Sequence, residues 1–172
     1  MLSAAVDADV LILGKGAWAA VETGRLGLEM RKILSGSRGS GLILQAGSGL
    51  QLPILVVNDG SALADDVLLT APVLAEQVGD GKITVLVLAE SSDQLPRLKD
   101  RVKQKTEDRD LVVNYRSLSK SILIWLNSLI RREGYNLVVL PALRSVIEEE
   151  ALMEFLDEIK TPVLLIQEGE YE

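Results

Sequence analysis

Short, wholly apolar runs alternate with stretches of helical periodicity, and this alternation constrains the fold more than any other feature of the chain. Val10-Leu11-Ile12-Leu13, Leu42-Ile43-Leu44, Ile54-Leu55-Val56-Val57, Ile83 to Leu88, Leu111-Val112-Val113, Leu137 to Leu140 and Val163 to Ile166 are too short for helices. Runs that are apolar at every position, rather than at alternate ones, suit strands covered on both faces. Helical patterns lie between them: Leu26 to Leu34, Ala62 to Val78 with Pro72 inside it, about Ser92 to Thr106, Leu118 to Arg132, and Ile147 to Ile159. Strands that alternate with crossover helices imply a parallel sheet wound right-handedly. The expected fold class is therefore α/β and doubly wound. It has a mostly parallel five-stranded sheet over residues 53–167 in the order 3-2-1-4-5, with an extra partial repeat ahead of it.

The partial repeat is visible as self-similarity. Asp9-Val10-Leu11-Ile12-Leu13 resembles Asn136-Leu137-Val138-Val139-Leu140, and Ser40-Gly41-Leu42-Ile43-Leu44-Gln45-Ala46-Gly47 resembles Pro162-Val163-Leu164-Leu165-Ile166-Gln167-Glu168-Gly169. Each pair brackets one helix, and the same Gln and Gly follow the second strand in both copies. The chain thus divides into residues 1–50, a strand–helix–strand fragment, and residues 51–172, a complete unit. A fragment of a sheet leaves an edge that needs covering. Residues 9–46 are therefore expected to add strands to the main sheet or to a partner chain.

Composition removes whole classes of chemistry. The 172 residues include no Cys and no His, so there is no thiol nucleophile, no disulfide or zinc-thiolate framework, no Ser-His-Asp triad and no imidazole acid–base group. No metal site is expected. With 18 Lys and Arg against 25 Asp and Glu, the net charge of −7 repels phosphate backbones and argues against nucleic-acid binding. Ile122 to Ile130, the longest apolar helix candidate, is too short to span a bilayer. Without a signal peptide either, the chain is expected to be soluble and cytoplasmic, with no direct membrane insertion.

The order of elements over 53–167 resembles the universal stress protein family. Pro53-Ile54-Leu55-Val56-Val57-Asn58-Asp59-Gly60-Ser61 is similar to that family's opening strand and acidic turn. Tyr135 to Leu140 resembles its fourth strand, and Thr161 to Ile166 its closing one. Residues 4–46 look like the tail of a preceding copy, which makes the chain a tandem-type member with a truncated first repeat. The resemblance implies ATP binding by an acidic residue after the first strand and by a loop after the fourth strand, spaced Gly-x2-Gly-x9-Gly-(Ser/Thr). Glycines let backbone amides approach phosphate, and the following helix N-terminus favours negative charge.

Matched residue by residue, this motif is degenerate. In the first copy Gly14, Ala17 and Gly27 fall at the three glycine positions and Leu28 replaces the Ser/Thr; Gly14 and Gly16 are either loop residues of this kind or simply the end of the strand. In the second copy Pro141-Ala142-Leu143-Arg144-Ser145-Val146 holds no glycine, leaving Arg144 as a substitute phosphate contact. Asp59, Gly60 and Ser61 are the candidate adenine side of a site, or simply a turn and helix cap. The acidic turn and the glycine loop thus sit in different copies.

These residues lead to an expected noncatalytic regulatory or interaction module with a degenerate nucleotide site and no cofactor. It would pair through the edge strands 42–45 and 163–167, within one chain or as a homodimer, alone or within a larger host protein. An ATP- or AMP-binding sensor is the alternative, and a hydrolase or phosphotransferase the third. The mixed charges of Lys99 to Lys105 read as a solvated helix face, and Glu148-Glu149-Glu150 as the acidic start of a helix.

Overall fold

The computed structural model describes residues 10–15, 28–36, 39–45, 47–78, 83–89, 91–106, 111–117, 122–142 and 148–167. Their strands are β1 (Val10–Lys15), β2 (Ser40–Gln45), β3 (Ile54–Asn58), β4 (Ile83–Ala89), β5 (Leu111–Ser117), β6 (Leu137–Pro141) and β7 (Val163–Ile166). Their helices are α1 (Leu28–Gly36), α2 (Ala62–Val78), α3 (Leu95–Thr106), α4 (Ile122–Glu133) and α5 (Glu149–Glu158).

All seven strands join one sheet in the order β1-β2-β7-β6-β3-β4-β5. From β5 to β7 every neighbour is parallel, and the five strands stand in the expected 3-2-1-4-5 order. The core strands β3 and β6 are buried at every position, which is why they read as unbroken apolar runs. Two apolar layers cover the two faces. On one, Val67, Leu68, Ala71 and Ala75 of α2 and Val102 of α3 pack on Val56, Val85 and Val139. On the other, α1, α4 and α5 contribute Leu34, Ile122, Leu126, Ile130, Leu152, Phe155 and Leu156 against Leu55, Val57, Val138 and Leu140.

Beyond β7 the direction reverses. β2 pairs antiparallel with β7, with Gly41, Leu42 and Ile43 opposite Leu165, Leu164 and Val163. β1 then runs parallel to β2 along its whole length. Several boundaries differ from the sequence reading. Gly14 does not end the first strand but lies within it, opposite Leu44, and the strand continues to Lys15 because ladder pairing needs no side chain. β5 runs on through Asn114 to Ser117, since it pairs residue for residue with β4 as far as Ala89.

The segment carrying β1, α1 and β2 is held to α5 by polar contacts at both ends. Near the carboxyl end of α5, Arg31 pairs with Asp157. Lys15, only 4% exposed, donates from Nζ to the Ile159 carbonyl at 2.5 Å and to that of Asp157 at 3.5 Å. At the amino end, Ser35 bonds Glu149. Gln167 Nε2 donates to the Leu34 carbonyl at 2.9 Å, satisfying one of the terminal acceptors of α1.

Burial pushes the Lys15 ammonium down from 10.5 to about 8, partly offset by the Asp157 carboxylate. The unfolded chain keeps the ordinary value and so binds more protons between these two pH values. Stability therefore rises with pH from about 8 to 10.5, and the charged lysine costs stability below that window. Chemical denaturation across pH 7–11 is expected to show this rise, worth about 3 kcal/mol at most, in the native chain. In Lys15→Met the rise attributable to this residue is expected to vanish.

Candidate functional site

Open α/β sheets offer a crevice at the carboxyl ends of the strands where the winding direction changes. Here that point lies between β3 and β6, and Asp59-Gly60-Ser61 follows the first of these strands directly. Local chemistry builds the turn. Asn58 Oδ1 accepts the Gly60 amide at 2.9 Å, and Asp59 Oδ1 accepts both the Ser61 amide at 3.0 Å and its hydroxyl at 2.6 Å. Ser61 Oγ accepts the Ala64 amide at 3.1 Å, capping α2. One oxygen of Asp59 is therefore committed to shaping the turn. Its other oxygen has no hydrogen-bond partner among the described residues.

The turn is also closed from above. Gly60 adopts φ +80, and a Cβ there would lie 2.5 Å from Leu98 Cδ2 of α3. The same helix sends Arg101 to the Gly60 carbonyl at 3.1 Å and to Asp65, and Lys105 to Asp65 at 3.0 Å. Asp65 is a buried carboxylate in the first turn of α2, so the two cations compensate a charge that would be costly alone. The helix 95–106 is thus not the merely solvated face expected from its mixed charges. Arg101 and Lys105 stand four residues apart on one side, a spacing that signals a shared partner.

At the carboxyl end of β6 the structure describes Pro141 and Ala142, both buried. Beside them lies a cleft of about 210 Å³ lined by Leu34, Ser35, Glu148, Glu149, Met153 and Gln167, among others. Its lining includes no Lys or Arg among the described residues. It lies where the amino end of α5 meets the carboxyl end of α1. The positive end of one helix therefore faces two carboxylates and the negative end of another. Among the described residues this cleft therefore offers a phosphate no cation.

The structure brings Asp59, Gly60 and Ser61 together and separates them from Gly14. Because β1 runs opposite to β3, its carboxyl end opens on the other rim of the sheet. It also stands four strand spacings away, about 19 Å. Gly16, Ala17, Gly27 and Arg144 lie outside the described residues. Sequence reading gave no role to Lys15 or Asp65, and noted Gln167 only as the Gln repeated in both copies. For Asp65 the available signal was an acidic residue inside the apolar pattern of α2, since a buried carboxylate demands a partner. Among the described residues no group of carboxylates forms a metal site, and no helix is long and apolar enough to cross a membrane.

No protein-family model matches the sequence, and no curated protein matches it either. Similarity emerges in three dimensions. A universal stress protein from Archaeoglobus fulgidus superposes with a TM-score of 0.71 at 16% identity, over 99% of this chain and 65% of that one. The chain therefore spans just under two-thirds of that protein's length. The hypothetical protein MJ0577, the subject of a structure-based assignment of biochemical function, matches 69% of this chain and 96% of its own at a TM-score of 0.50 and 12% identity. The likeness is one of architecture: this chain is built on the α/β fold of a universal stress protein.

Two substitutions test the construction of the turn. Gly60→Ala is expected to cost about 1–2 kcal/mol, because an alanine pays for the positive φ even if the flexible Leu98 side chain moves aside. Replacing Arg101 and Lys105 together by Met is expected to cost about 3–5 kcal/mol by stranding Asp65, and adding Asp65→Asn is expected to recover much of it. Urea denaturation of the three variants measures both effects.

Proposed function

We propose that this chain is a noncatalytic regulatory or interaction module of the universal stress protein family. In this reading it is tandem in organisation, with a truncated first repeat over residues 1–50 and a complete one over 51–172, and its nucleotide site is degenerate. The observation that carries the proposal is the cleft beside β6 and α5. Where a phosphate would be received, it presents Glu148 and Glu149 and no cation among its described lining residues. Asp59 spends one oxygen on the turn, and Gly60 is shut in by Leu98. The antiparallel pairing of β2 with β7 supports association of the two units within one chain over a homodimer through that same edge. The module works without cofactor or metal, in the cytoplasm, alone or as part of a larger host.

The second reading, an ATP or AMP sensor, rests on the remaining oxygen of Asp59 at the winding reversal. Equilibrium titration with a fluorescent ATP analogue at low salt separates the two. No saturable binding in the micromolar range and no hydrolysis are expected. Micromolar affinity that disappears in Asp59→Ala would overturn the proposal in favour of the sensor. Affinity that survives Asp59→Ala but is lost in Gly14→Val would place a site on the opposite rim.

A further inference from the structure

We infer that the edge of β1 that has no neighbouring strand among the described residues, with the apolar face beside it, is a docking surface for a polypeptide unit consisting of a parallel strand followed by a helix. The inference rests on the repeat reading above and names the occupant of the gap that repeat leaves. Across one face of the sheet, a row of apolar residues lies in register: Val85, Val56, Val139, Leu164, Leu42 and Ile12. The row is buried at its centre, where Val139 is 1% exposed, half-buried at Leu164 and Leu42, and open at Ile12, which is 69% exposed. Val10, on the same face of β1, is 50% exposed. Leu13, which points to the other face, packs against the core, so β1 is a two-sided apolar strand that the described residues cover on one side only.

The repeat says what belongs on the open side. In the sequence self-match Val10 and Ile12 correspond to Leu137 and Val139 of β6. Those two are 2% and 1% exposed. β6 owes this burial to two things that β1 lacks among the described residues. One is the parallel strand β3 on its edge, with Val56 opposite Val139. The other is the helix α2 that follows β3 and packs on β6. The occupant is therefore a unit of the build of β3–α2: an apolar strand in parallel register with β1, and a helix with an apolar face laid over Val10, Ile12 and Leu42. A second copy pairing β1 to β1 would satisfy the backbone edge but bring no helix over that face. About a third of the Archaeoglobus fulgidus protein lies outside its match to this chain, which leaves room there for such a unit in the same architecture.

The test uses the protein's own sequence. Residues 52–135 are placed directly ahead of Asp9, recreating the junction that Asn136 makes in the complete unit, and amide hydrogen exchange of Val10 to Lys15 is compared with that of the unmodified chain. Exchange in β1 is expected to slow by at least about tenfold in the fusion, and Ile12→Glu is expected to abolish that protection. Equal exchange of β1 in both proteins would overturn the inference. Measurements on the unmodified chain decide the matter even if the fusion fails to fold. Ile12→Glu is expected to leave its thermal midpoint unchanged and the chain monomeric before and after. A large loss of stability would show that the chain already covers this face itself, and a dimer dissociated by Ile12→Glu would show that a second copy does; either overturns the inference. Exchange is read without nucleotide, so failure here leaves the functional proposal standing, and ATP binding would not bear on this surface.

Discussion

The ladder between β2 and β7 holds this molecule together as one body. Leu34 and Ile43, the buried apolar side chains among the described residues from β1 to β2, belong to the same apolar cluster as Phe155, Leu156, Val163 and Leu165. Two such side chains do not make a core, and the antiparallel pairing of Ile43 with Val163 sets them where they share one. The placement of α1 beside α5, the reach of Lys15 to the carbonyls of α5 and the cleft between the two helices all follow from it.

The polar contacts around α5 then fix what the apolar contacts leave loose. Hydrophobic burial is non-directional. A helix lying on a sheet could slide by a turn without losing much area. Arg31 and Lys15 at one end of α5, and Ser35 at the other, mark both ends of the allowed position. The lysine is the costly member of this set. It trades the solvation of an ammonium for hydrogen bonds to helix-terminal carbonyls, where positive charge is favoured.

Most of the architecture was legible from patterns with a local cause. The helix Ala62–Val78 was read with its observed ends because Asp59-Gly60-Ser61 marks its start and Gly79-Asp80-Gly81 its stop, and Val163–Ile166 because Pro162 bounds it. Their parallel order followed from the crossover rule. The reversed direction of β2 against β7 was not legible in Leu42-Ile43-Leu44, since an apolar strand looks the same beside a parallel or an antiparallel neighbour. The candidate site was legible in part: Asp59, Gly60 and Ser61 do form one turn, with the cap suggested by their order. The closure of that turn by Leu98 and Arg101 depends on how α3 crosses α2, and the burial of Lys15 depends on a helix more than a hundred residues away. Spacing along the chain carries neither fact.

The same ladder sets a timetable. Synthesis runs from the amino end, so β1, α1 and β2 are made first, yet the strand that seats them, β7, is about 120 residues further along. The complete unit can collapse around β3, β4 and β6 as these emerge, because they lie nearer to one another along the chain than β2 does to β7. The early segment must wait about ten seconds at ordinary rates of translation for its partner strand. During that interval Ile43 and Leu34 are exposed, and the segment is open to chaperones or to a neighbouring nascent chain. Of the strands in this sheet, the first two to be made are the last to find their place.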